Sequence, residues 1–324
     1  MKTDFIQHFF TYLFKIQYMT IINSFETLIK QLQSFKVKTK VAVVYGVDTH
    51  SEEAISAAIE HEFIDVVMVG PKELVQDYPI FVKYPESVTY IDSHDPDEAA
   101  RLAVNLIHSG EASVLMKGLI NTDNLLKVVL DKEHGLLPAY QVLSHLAVAD
   151  IPSYSKLLFF TDAAVIPYPK LEQKAAQLKY VIDVCNKFGI IKPKVALLHF
   201  TEKVNPKFPN STDCITLKNK ALAGEFGDVI VDGPIDLSTA CTPDSGNIKG
   251  VNSLIQGDAD ALLLPNIESG NIFYKSVSVF AKAEMAGILL GTTCPVVTTS
   301  RSDSSRTKFY SIAMACLMKQ NQTK

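Results

Sequence analysis

Short apolar segments alternate with helical patterns along most of this sequence, and this alternation constrains the fold more than any other feature. Each apolar run stops at glycine or polar residues, and most are followed by apolar residues spaced at a helical period. The predicted strands lie at 41–45, 65–69, 88–91, 112–116, 157–161, 195–200, 229–231, 261–264 and 295–299. Repeated units of strand, turn and helix predict parallel sheets with helices on both faces.

The predicted helices fill the intervals between these strands. They lie at 19–35, 51–61, 94–108, 125–130, 171–188 and 309–317, and a further helical pattern separates Asn271 from Pro295. The alternation breaks at 134–144, where no strand is clear. We therefore expect two α/β domains with mostly parallel sheets and an active-site cleft between them: 19–140 with 296–324 as domain I, and 141–295 as domain II. Residues 1–18 are expected to be an extension without a functional role, because the periodic pattern starts after Met19.

Composition and charge argue against several classes of protein. The chain is 47% hydrophobic and 20% charged, as in ordinary globular domains, and its net charge of −4 gives no general attraction to nucleic acid or to an anionic membrane. The five cysteines are scattered without a CxxC pair, which disfavours a disulfide framework or a zinc site and fits a reducing cytoplasm. No apolar run approaches the roughly 18 residues of a membrane helix.

The most informative polar cluster follows the strand predicted at 295–299. Ser300, Arg301 and Asp303 come directly after it, and ligands in open α/β sheets bind outside the carboxyl ends of the strands. Arginine presents a planar fork of donors that suits phosphate, and a carboxylate can accept a proton. On spacing alone, the same residues also fit an ordinary helix start, with a surface arginine and with Asp303 as the N-cap of the last helix.

Other predicted strands also end in polar residues or glycine, in both halves of the chain. Taken singly, each position fits a turn, a helix cap or a solvated lysine, but together they predict a ligand-binding cleft between two lobes. These candidate binding residues are Lys117, Gly118, Thr122, Glu202, Asn205, Asp232, Gly270, Asn271 and Lys275. The sequence has no G-x-x-x-x-G-K-[ST] loop and no G-x-G-x-x-G turn, and its histidines show no metal-ligand spacing, so we expect no metal site.

Six segments, in a fixed order, carry a resemblance to a known family: LMKGLINTDNLLKVVLDKEHGLL (115–137), LSHLAVADIPSYSKLLFFTDAA (143–164), EKVNPKFPNSTD (202–213), VDGPIDL (231–237), GDADALLLPNIESGNIFYKS (257–276) and TSRSDSS (299–305). Together they resemble the phosphate acetyl/butyryltransferase family, and most closely its phosphate butyryltransferase branch. The resemblance covers most of the chain from about residue 41 onward. Because the order of the segments matches as well as their residues, it is more specific than any single motif.

The resemblance implies two α/β domains around a cleft, in an architecture similar to that of isocitrate and isopropylmalate dehydrogenases. It implies a homodimer or larger homo-oligomer and the reversible reaction of an acyl-CoA with phosphate to give acyl phosphate and CoA, with butyryl as the expected acyl group. CoA is then a substrate, and no tightly bound cofactor is implied. The resemblance also places Asp162, in the second segment, among the substrate-binding residues.

In the mechanism that these residues predict, Asp303 takes the proton of the CoA thiol. Ser300 donates a hydrogen bond to the carbonyl oxygen, and Arg301 holds the phosphoryl oxygens. A covalent role for Ser300 is disfavoured, because the sequence places no histidine beside it. The acid that the acetyl branch carries further beyond the Ser-Arg pair is missing here, which leaves Asp303 as the nearest carboxylate.

Two departures from the family motivate other hypotheses. Asn266 and Ser238 stand where the family usually has aspartate, so a catalytically weakened acyl-CoA or acyl-phosphate binding protein is one alternative. Phosphate acetyltransferase is another. A decarboxylating dehydrogenase would share the architecture, but an architecture does not determine a function.

Overall fold

The computed structural model describes residues 21–74 and 79–320, which form a mixed α/β fold around one 11-stranded sheet. The strands are β1 (Thr39–Val44), β2 (Ile64–Gly70), β3 (Val88–Asp92), β4 (Val114–Lys117), β5 (Ser144–Asp150), β6 (Leu158–Thr161), β7 (Lys194–Leu198), β8 (Ile230–Ile235), β9 (Ala261–Leu263), β10 (Glu284–Leu290) and β11 (Val296–Val297). The helices are α1 (Phe25–Ser34), α2 (Thr49–Glu60), α3 (Pro79–Lys83), α4 (Pro96–His108), α5 (Thr122–Val129), α6 (Leu171–Lys187), α7 (Pro209–Leu222), α8 (Leu237–Cys241), α9 (Pro243–Lys249), α10 (Ile267–Val279) and α11 (Ser305–Lys319). The expected α/β class with a mostly parallel sheet is confirmed. Among these residues, no helix combines the length and apolar character needed to cross a membrane.

The strands are ordered β3-β2-β1-β4-β11-β10-β5-β6-β9-β7-β8. Pairing is parallel except at the centre, where β10 runs antiparallel to β11 and to β5, and β5 runs antiparallel to β6. Strands from 39–117 and 296–297 form one end of the sheet, and strands from 144–290 form the other. The two ends meet where Leu289 pairs with Val296. Backbone pairing thus continues across the junction, and the division into two domains stays a prediction.

The central strands β5 and β10 are absent from the sequence-based prediction. The segment of β5 falls where no strand was predicted, and the helical pattern expected between Asn271 and Pro295 is wrong in its second half, because α10 ends at Val279 and β10 follows. Both strands contain alanine, leucine or methionine, which favour helices. Both are also largely buried along their length, so they lack the alternation of apolar and polar residues that marks a half-exposed strand.

The first described helix begins later than predicted. Ser24 is its N-cap, and the serine hydroxyl accepts a hydrogen bond from the amide of Thr27 at 3.2 Å. The side chains of Phe25, Leu28 and Leu32 are then buried against the core. Helix α1 therefore starts where its amides find a capping partner. The prediction for residues 1–18 lies outside the described residues.

The last helix, α11, fixes the position of the residues that precede it. It packs on β10 and α2, and residues 312–317 are buried. Near its start, the buried ammonium group of Lys308 donates to both carboxylate oxygens of Asp48 at 2.9 Å and to Ser51 Oγ at 3.0 Å. Burial by itself would raise the pKa of Asp48, but the hydrogen bonds from Lys308 and Ser51 hold it below its usual value. This buried ion pair anchors α11 to the start of α2.

Candidate active site

The residues after β11 fold into a tight turn whose polar atoms bond to one another. The amide of Ser300 donates to Asp303 Oδ2 at 2.8 Å, and the amide of Asp303 donates to the Ser300 carbonyl at 3.1 Å. The hydroxyls of Ser300 and Ser302 lie 3.0 Å apart. The N-cap of α11 is Ser304, whose hydroxyl accepts from the amide of Thr307 at 3.1 Å. The alternative interpretation of Asp303 as the helix cap is therefore wrong, and its carboxylate closes the turn instead.

A cavity of about 450 Å³ opens on one side of this turn, at the carboxyl ends of β4 and β11. Two cations line it, Lys117 at the end of β4 and Arg301 in the turn. The guanidinium of Arg301 donates to the carbonyl of Leu119 at 3.4 Å and to Asn121 Oδ1 at 3.2 Å. We call this space the cationic cavity, and it is lined by Lys117, Asn121, Thr122, Thr298, Thr299, Ser300 and Arg301.

Neither cation of the cationic cavity forms an ion pair with a carboxylate of the described residues. In residues 21–74 and 79–320, no ion pair involves Lys117 or Arg301. Lys117 is 7% exposed, and its ammonium group donates to the carbonyl of Gly118 at 3.1 Å. Burial lowers the pKa of Lys117, and the positive charges of Arg301 and Lys308 lower it further. Two close cations without paired anions make a site for an anionic ligand.

The two other predicted residues on this side of the site have distinct roles. Gly118 lies so close to the loop after β1 that a Cβ would stand 1.8 Å from the carbonyl oxygen of Gly46, so any larger residue would clash with backbone. Its amide donates to the Val44 carbonyl at 3.0 Å. Thr122 is the first residue of α5 and lines the cationic cavity. Gly118 thus permits the close approach that brings Lys117 and Thr122 to one cavity.

A second cavity, of about 120 Å³, shares a wall with the first. The shared wall consists of Thr298, Thr299 and Ser300. This cavity also contains two groups that can exchange protons, His145 from β5 and Asp303 from the turn. We call it the imidazole cavity, and it is lined by His145, Ala163, Ala164, Asn271, Tyr274, Lys275, Gly287, Thr298, Thr299, Ser300, Asp303 and Ser311.

Helix α10 brings two predicted binding residues to the imidazole cavity. Asn271 Nδ2 donates to a carbonyl of the loop after β6 at 3.2 Å, and the Lys275 ammonium lies 5.2 Å from the centroid of the Tyr274 ring. Gly270 lies outside the lining, where a Cβ would stand 2.0 Å from the carbonyl oxygen of Asp162. Glycine is therefore required at position 270 for α10 to approach this loop.

Asp162 organises the same loop from within. Its carboxylate is buried and accepts hydrogen bonds from Ser144 Oγ at 3.0 Å and from the amides of Ala164, Val165 and Ile166 at 2.8, 2.9 and 3.2 Å. These four donors occupy both carboxylate oxygens. The geometry supports a role in shaping the cavity wall, and direct contact of Asp162 with substrate stays a prediction.

Three predicted binding residues lie towards the other end of the sheet and line neither cavity. Asp232, in β8, accepts from the Lys218 ammonium at 2.6 Å, and Glu202 accepts from that of Lys249 at 3.0 Å. Asn205 accepts from a backbone amide two residues later at 2.9 Å. Each of these side chains thus accepts at least one hydrogen bond from the protein itself. A role in substrate binding stays a prediction for all three.

His145 is the residue that sequence analysis missed. A histidine within an apolar run usually belongs to the core, and only its place in the family-like segment 143–164 could have singled it out. The imidazole lies edge-on to Tyr274, with ring centroids 6.4 Å apart. Its Nδ1 atom is buried and has no hydrogen-bond partner among the described residues. Burial lowers the pKa of His145, while the charges of Asp162 and Asp303 act in the opposite direction.

The two positions that lack the family's usual aspartate lie outside both cavities. Asn266 is the N-cap of α10, and its Oδ1 accepts from the amide of Ser269 at 2.9 Å. Asparagine and aspartate cap helices about equally well. Ser238 lies in the short helix α8. These departures therefore leave the charges that line the two cavities unchanged, and they give no structural support to a weakened binding protein.

Comparison with known proteins identifies relatives along nearly the whole chain. A family model described as phosphate acetyl/butaryl transferase matches residues 93–316. The chain is 37% identical over 296 residues to a phosphate butyryltransferase of Clostridium beijerinckii, which covers 91% of this chain and 97% of the relative. It is 36% identical over 282 residues to a phosphate acetyltransferase of Thermotoga maritima, which covers 86% and 94%.

Solved structures agree with these sequence relatives. A branched-chain phosphotransacylase from Enterococcus faecalis V583 superposes with a TM-score of 0.77 at 30% sequence identity. The superposition covers 87% of this chain and 100% of that one. The elements that line both cavities fall within residues 93–316. The chain belongs to the phosphate acetyl/butyryl transferase family.

Proposed function

We propose that this acyltransferase moves a short-chain acyl group, butyryl best of all, reversibly between CoA and inorganic phosphate. One observation carries the proposal. The cationic cavity and the imidazole cavity share the wall of residues 298–300, so a site for an anion adjoins a site with proton-exchanging groups. An acyl phosphate and a thiol need these two environments on opposite sides of one carbonyl carbon.

The phosphoryl group binds in the cationic cavity. Lys117 and Arg301 supply two positive charges that lack carboxylate partners in the described part of the chain. The guanidinium of Arg301 can hold two phosphoryl oxygens at once. Thr122, at the start of α5, adds the partial positive charge of a helix N-terminus.

The chemistry takes place at the shared wall. The CoA thiol gives its proton to Asp303, sulfur bonds to the carbonyl carbon, and the bond from that carbon to the phosphate oxygen breaks. Phosphate leaves with the bonding electron pair and is held by Arg301. Ser300 donates a hydrogen bond to the carbonyl oxygen while that oxygen is negatively charged. In the reverse direction, phosphate attacks the thioester and Asp303 protonates the departing sulfur.

The size of the imidazole cavity supports a short acyl chain. An engineered cavity of about 150 Å³ holds a benzene molecule. The 120 Å³ found here therefore accommodates a chain of about four carbons. The relatives named for butyryl, acetyl and branched-chain transfer span the same range of chain lengths.

CoA is a substrate in this proposal, and no tightly bound cofactor takes part. We place the enzyme in the cytoplasm, since the cysteines of the described residues are free thiols, as in a reducing compartment.

We also propose a homodimer or larger homo-oligomer. Exposed apolar side chains on and after α10, Ile272, Val279 and Phe280, support it, and sedimentation analysis of the purified protein tests it.

The test of the proposed function follows free thiol release from acyl-CoAs in the presence and absence of phosphate, with acyl chains from acetyl to hexanoyl. We expect phosphate-dependent release with the highest kcat/KM for butyryl-CoA. Trapping the product with hydroxylamine shows that acyl phosphate forms, which separates transfer from simple hydrolysis. Release that does not depend on phosphate, for every chain length, overturns the proposal.

A further inference from the structure

We propose that His145 donates a hydrogen bond, as a neutral imidazole, to the acyl carbonyl oxygen in the imidazole cavity. This inference rests on the proposed function and deepens it. His145 reaches the cavity from β5, in the antiparallel centre of the sheet, and lines it together with Ser300 and Asp303. His145 is only partly buried, so part of its surface is accessible from the cavity. Its Nδ1 atom, by contrast, is buried.

The two ring nitrogens of His145 have different surroundings. Nδ1 is buried without a hydrogen-bond partner in the described part of the chain. Nε2 lies against Gly287, which lines the same cavity, and a Cβ on that glycine would stand 2.7 Å from Nε2. Glycine at position 287 is thus what allows the ring to lie on β10. Nε2 is the nitrogen that a ligand in the cavity can reach.

This asymmetry favours the neutral ring with its proton on Nε2. A second proton would have to sit on Nδ1, as a buried N–H group without an acceptor, and an unpaired buried donor is strongly unfavourable. The titratable groups that face the ring are Asp162 and Asp303, with Tyr274 and Lys275 on α10. Burial lowers the pKa of His145 against the opposing charges of the two carboxylates. The ring is therefore suited to donate a hydrogen bond and poorly suited to take the thiol proton.

A neutral donor at this place matches the charge that the reaction develops. When sulfur or phosphate adds to the carbonyl carbon, the carbonyl oxygen becomes negative. Ser300 approaches that oxygen from the turn and His145 approaches it from β5, so the two supply donors from different walls. No proton is transferred from Nε2; the hydrogen bond strengthens as the tetrahedral intermediate forms and weakens when it collapses. A neutral imidazole fills the same role in other enzymes that polarise carbonyl groups.

The first experiment compares His145→Leu with His145→Gln in the full-length protein, using butyryl-CoA and phosphate. Leucine fills the space without a donor, whereas the glutamine amide places an N–H group near the position of Nε2. We expect kcat to fall about 10²–10³-fold in His145→Leu, with the KM values for both substrates nearly unchanged. We expect His145→Gln to recover a large part of that loss. Thermal unfolding of both variants confirms that they fold.

The second variant, Gly287→Ala, keeps the imidazole and moves it, because the new methyl group would collide with Nε2. We expect a lower kcat at unchanged KM in this variant as well, which keeps the inference testable even if His145→Leu does not fold. Wild-type activity in His145→Leu, or in a folded Gly287→Ala, overturns the proposal. If His145→Gln is as inactive as His145→Leu and the acidic limb of the kcat–pH profile is lost, His145 acts as a base. That result also overturns the proposal. Wild-type turnover is measured first, so a failure of the proposed function appears in the wild type and a failure of this inference only in the variants.

Discussion

Charged side chains at the β8 edge of the sheet and near its centre differ in how completely the protein pairs them. At the β8 end, the buried carboxylate of Asp232 accepts from Lys218 at 2.6 Å and from Ser253 Oγ at 2.9 Å, as well as from two backbone amides. At the end of β4, Lys117 and Arg301 line a cavity and, in the described residues, have no carboxylate partner. In the sequence, Asp232, Lys117 and Arg301 look alike, because each lies in a strand or just after one. The difference teaches that a charged residue near a strand end is available to a ligand only where the fold gives it no partner of opposite charge.

The pKa directions express the same difference. Burial would raise the pKa of Asp232, but hydrogen bonds from Lys218, Leu254 and Ser253 outweigh it and hold the pKa below its usual value. Burial lowers the pKa of Lys117, and the charge of Arg301 adds to that effect. The fold therefore stabilises the charged form of Asp232 and destabilises the charged form of Lys117. An anionic ligand would reverse the second effect.

The largest effect is expected for Asp303→Asn, which tests the proton acceptor of the imidazole cavity. Asparagine can still accept the hydrogen bond from the Ser300 amide, so the turn should persist. We expect kcat to fall by roughly 10²–10⁴, and the loss to lessen as pH rises and the thiol ionises unaided. The measurement is kcat against pH for both proteins. Near-wild-type kcat would remove Asp303 from the mechanism.

Ser304→Ala is the matched control for Asp303→Asn. Ser304 caps α11 one residue further on and lines neither cavity. Loss of its hydroxyl should reduce the free energy of unfolding by about 0.5–2 kcal/mol with kcat nearly unchanged. Equal losses of kcat in the two variants would show that the order of the turn matters, and that proton transfer to Asp303 does not.

A smaller but more specific effect is expected for Arg301→Lys in the cationic cavity. Lysine keeps the charge but loses the fork that grips two phosphoryl oxygens. We expect the KM for phosphate to rise about tenfold or more, with the KM for CoA little changed. Arg306→Lys is the control, because Arg306 is exposed, pairs with Glu284 at 3.0 Å and lies outside both cavities. Unchanged kinetics for phosphate in Arg301→Lys would mean that Arg301 does not contact the phosphoryl group.

Asp232→Asn tests whether Asp232 binds substrate, and the pairing of its carboxylate within the protein favours an effect on stability alone. The variant loses the ion pair with Lys218, and we expect the free energy of unfolding to fall by about 1–3 kcal/mol at pH 7. The folded-state pKa of Asp232 lies below the unfolded value, so its contribution is present above the unfolded pKa and lost as pH falls through the folded pKa. The wild-type advantage in denaturant unfolding should therefore shrink towards acid pH. A large loss of kcat at full stability would instead place Asp232 in the substrate site.

The smallest effect is expected for Asn266→Asp, which restores the family's usual acid. Asn266 already caps α10 through Ser269 and lines neither cavity. Aspartate would keep the cap, so kcat and both KM values should stay close to wild type. A substantial gain in kcat would show that the missing acid weakens the enzyme, and would revive the idea of a reduced activity.

The elements that the sequence predicted well have local signals. The run ending at 299, followed by Ser300 and Arg301, marks a strand end through residue types alone, and the structure brings Ser300 to the shared wall and Arg301 to the cationic cavity. Lys117 and Asn271 are likewise predicted from polar residues that come after an apolar run, and each lines one of the two cavities. The central strands β5 and β10 lack such a signal, because a strand buried on both faces has no apolar and polar alternation to distinguish it from a buried helix.

The sequence by itself determined the α/β class, the family and the position of the Ser300 turn, since these depend on residue types and spacing along the chain. Only the tertiary structure decided that Ser304 caps α11, that Asp232 is fully paired and that His145 lies beside Asp303 in one cavity. The reason is physical. Capping, ion pairing and cavity lining depend on which atoms lie within hydrogen-bond distance after distant strands have paired. Sequence spacing cannot reveal whether a buried polar group is paired with another group of the protein or remains available to a ligand.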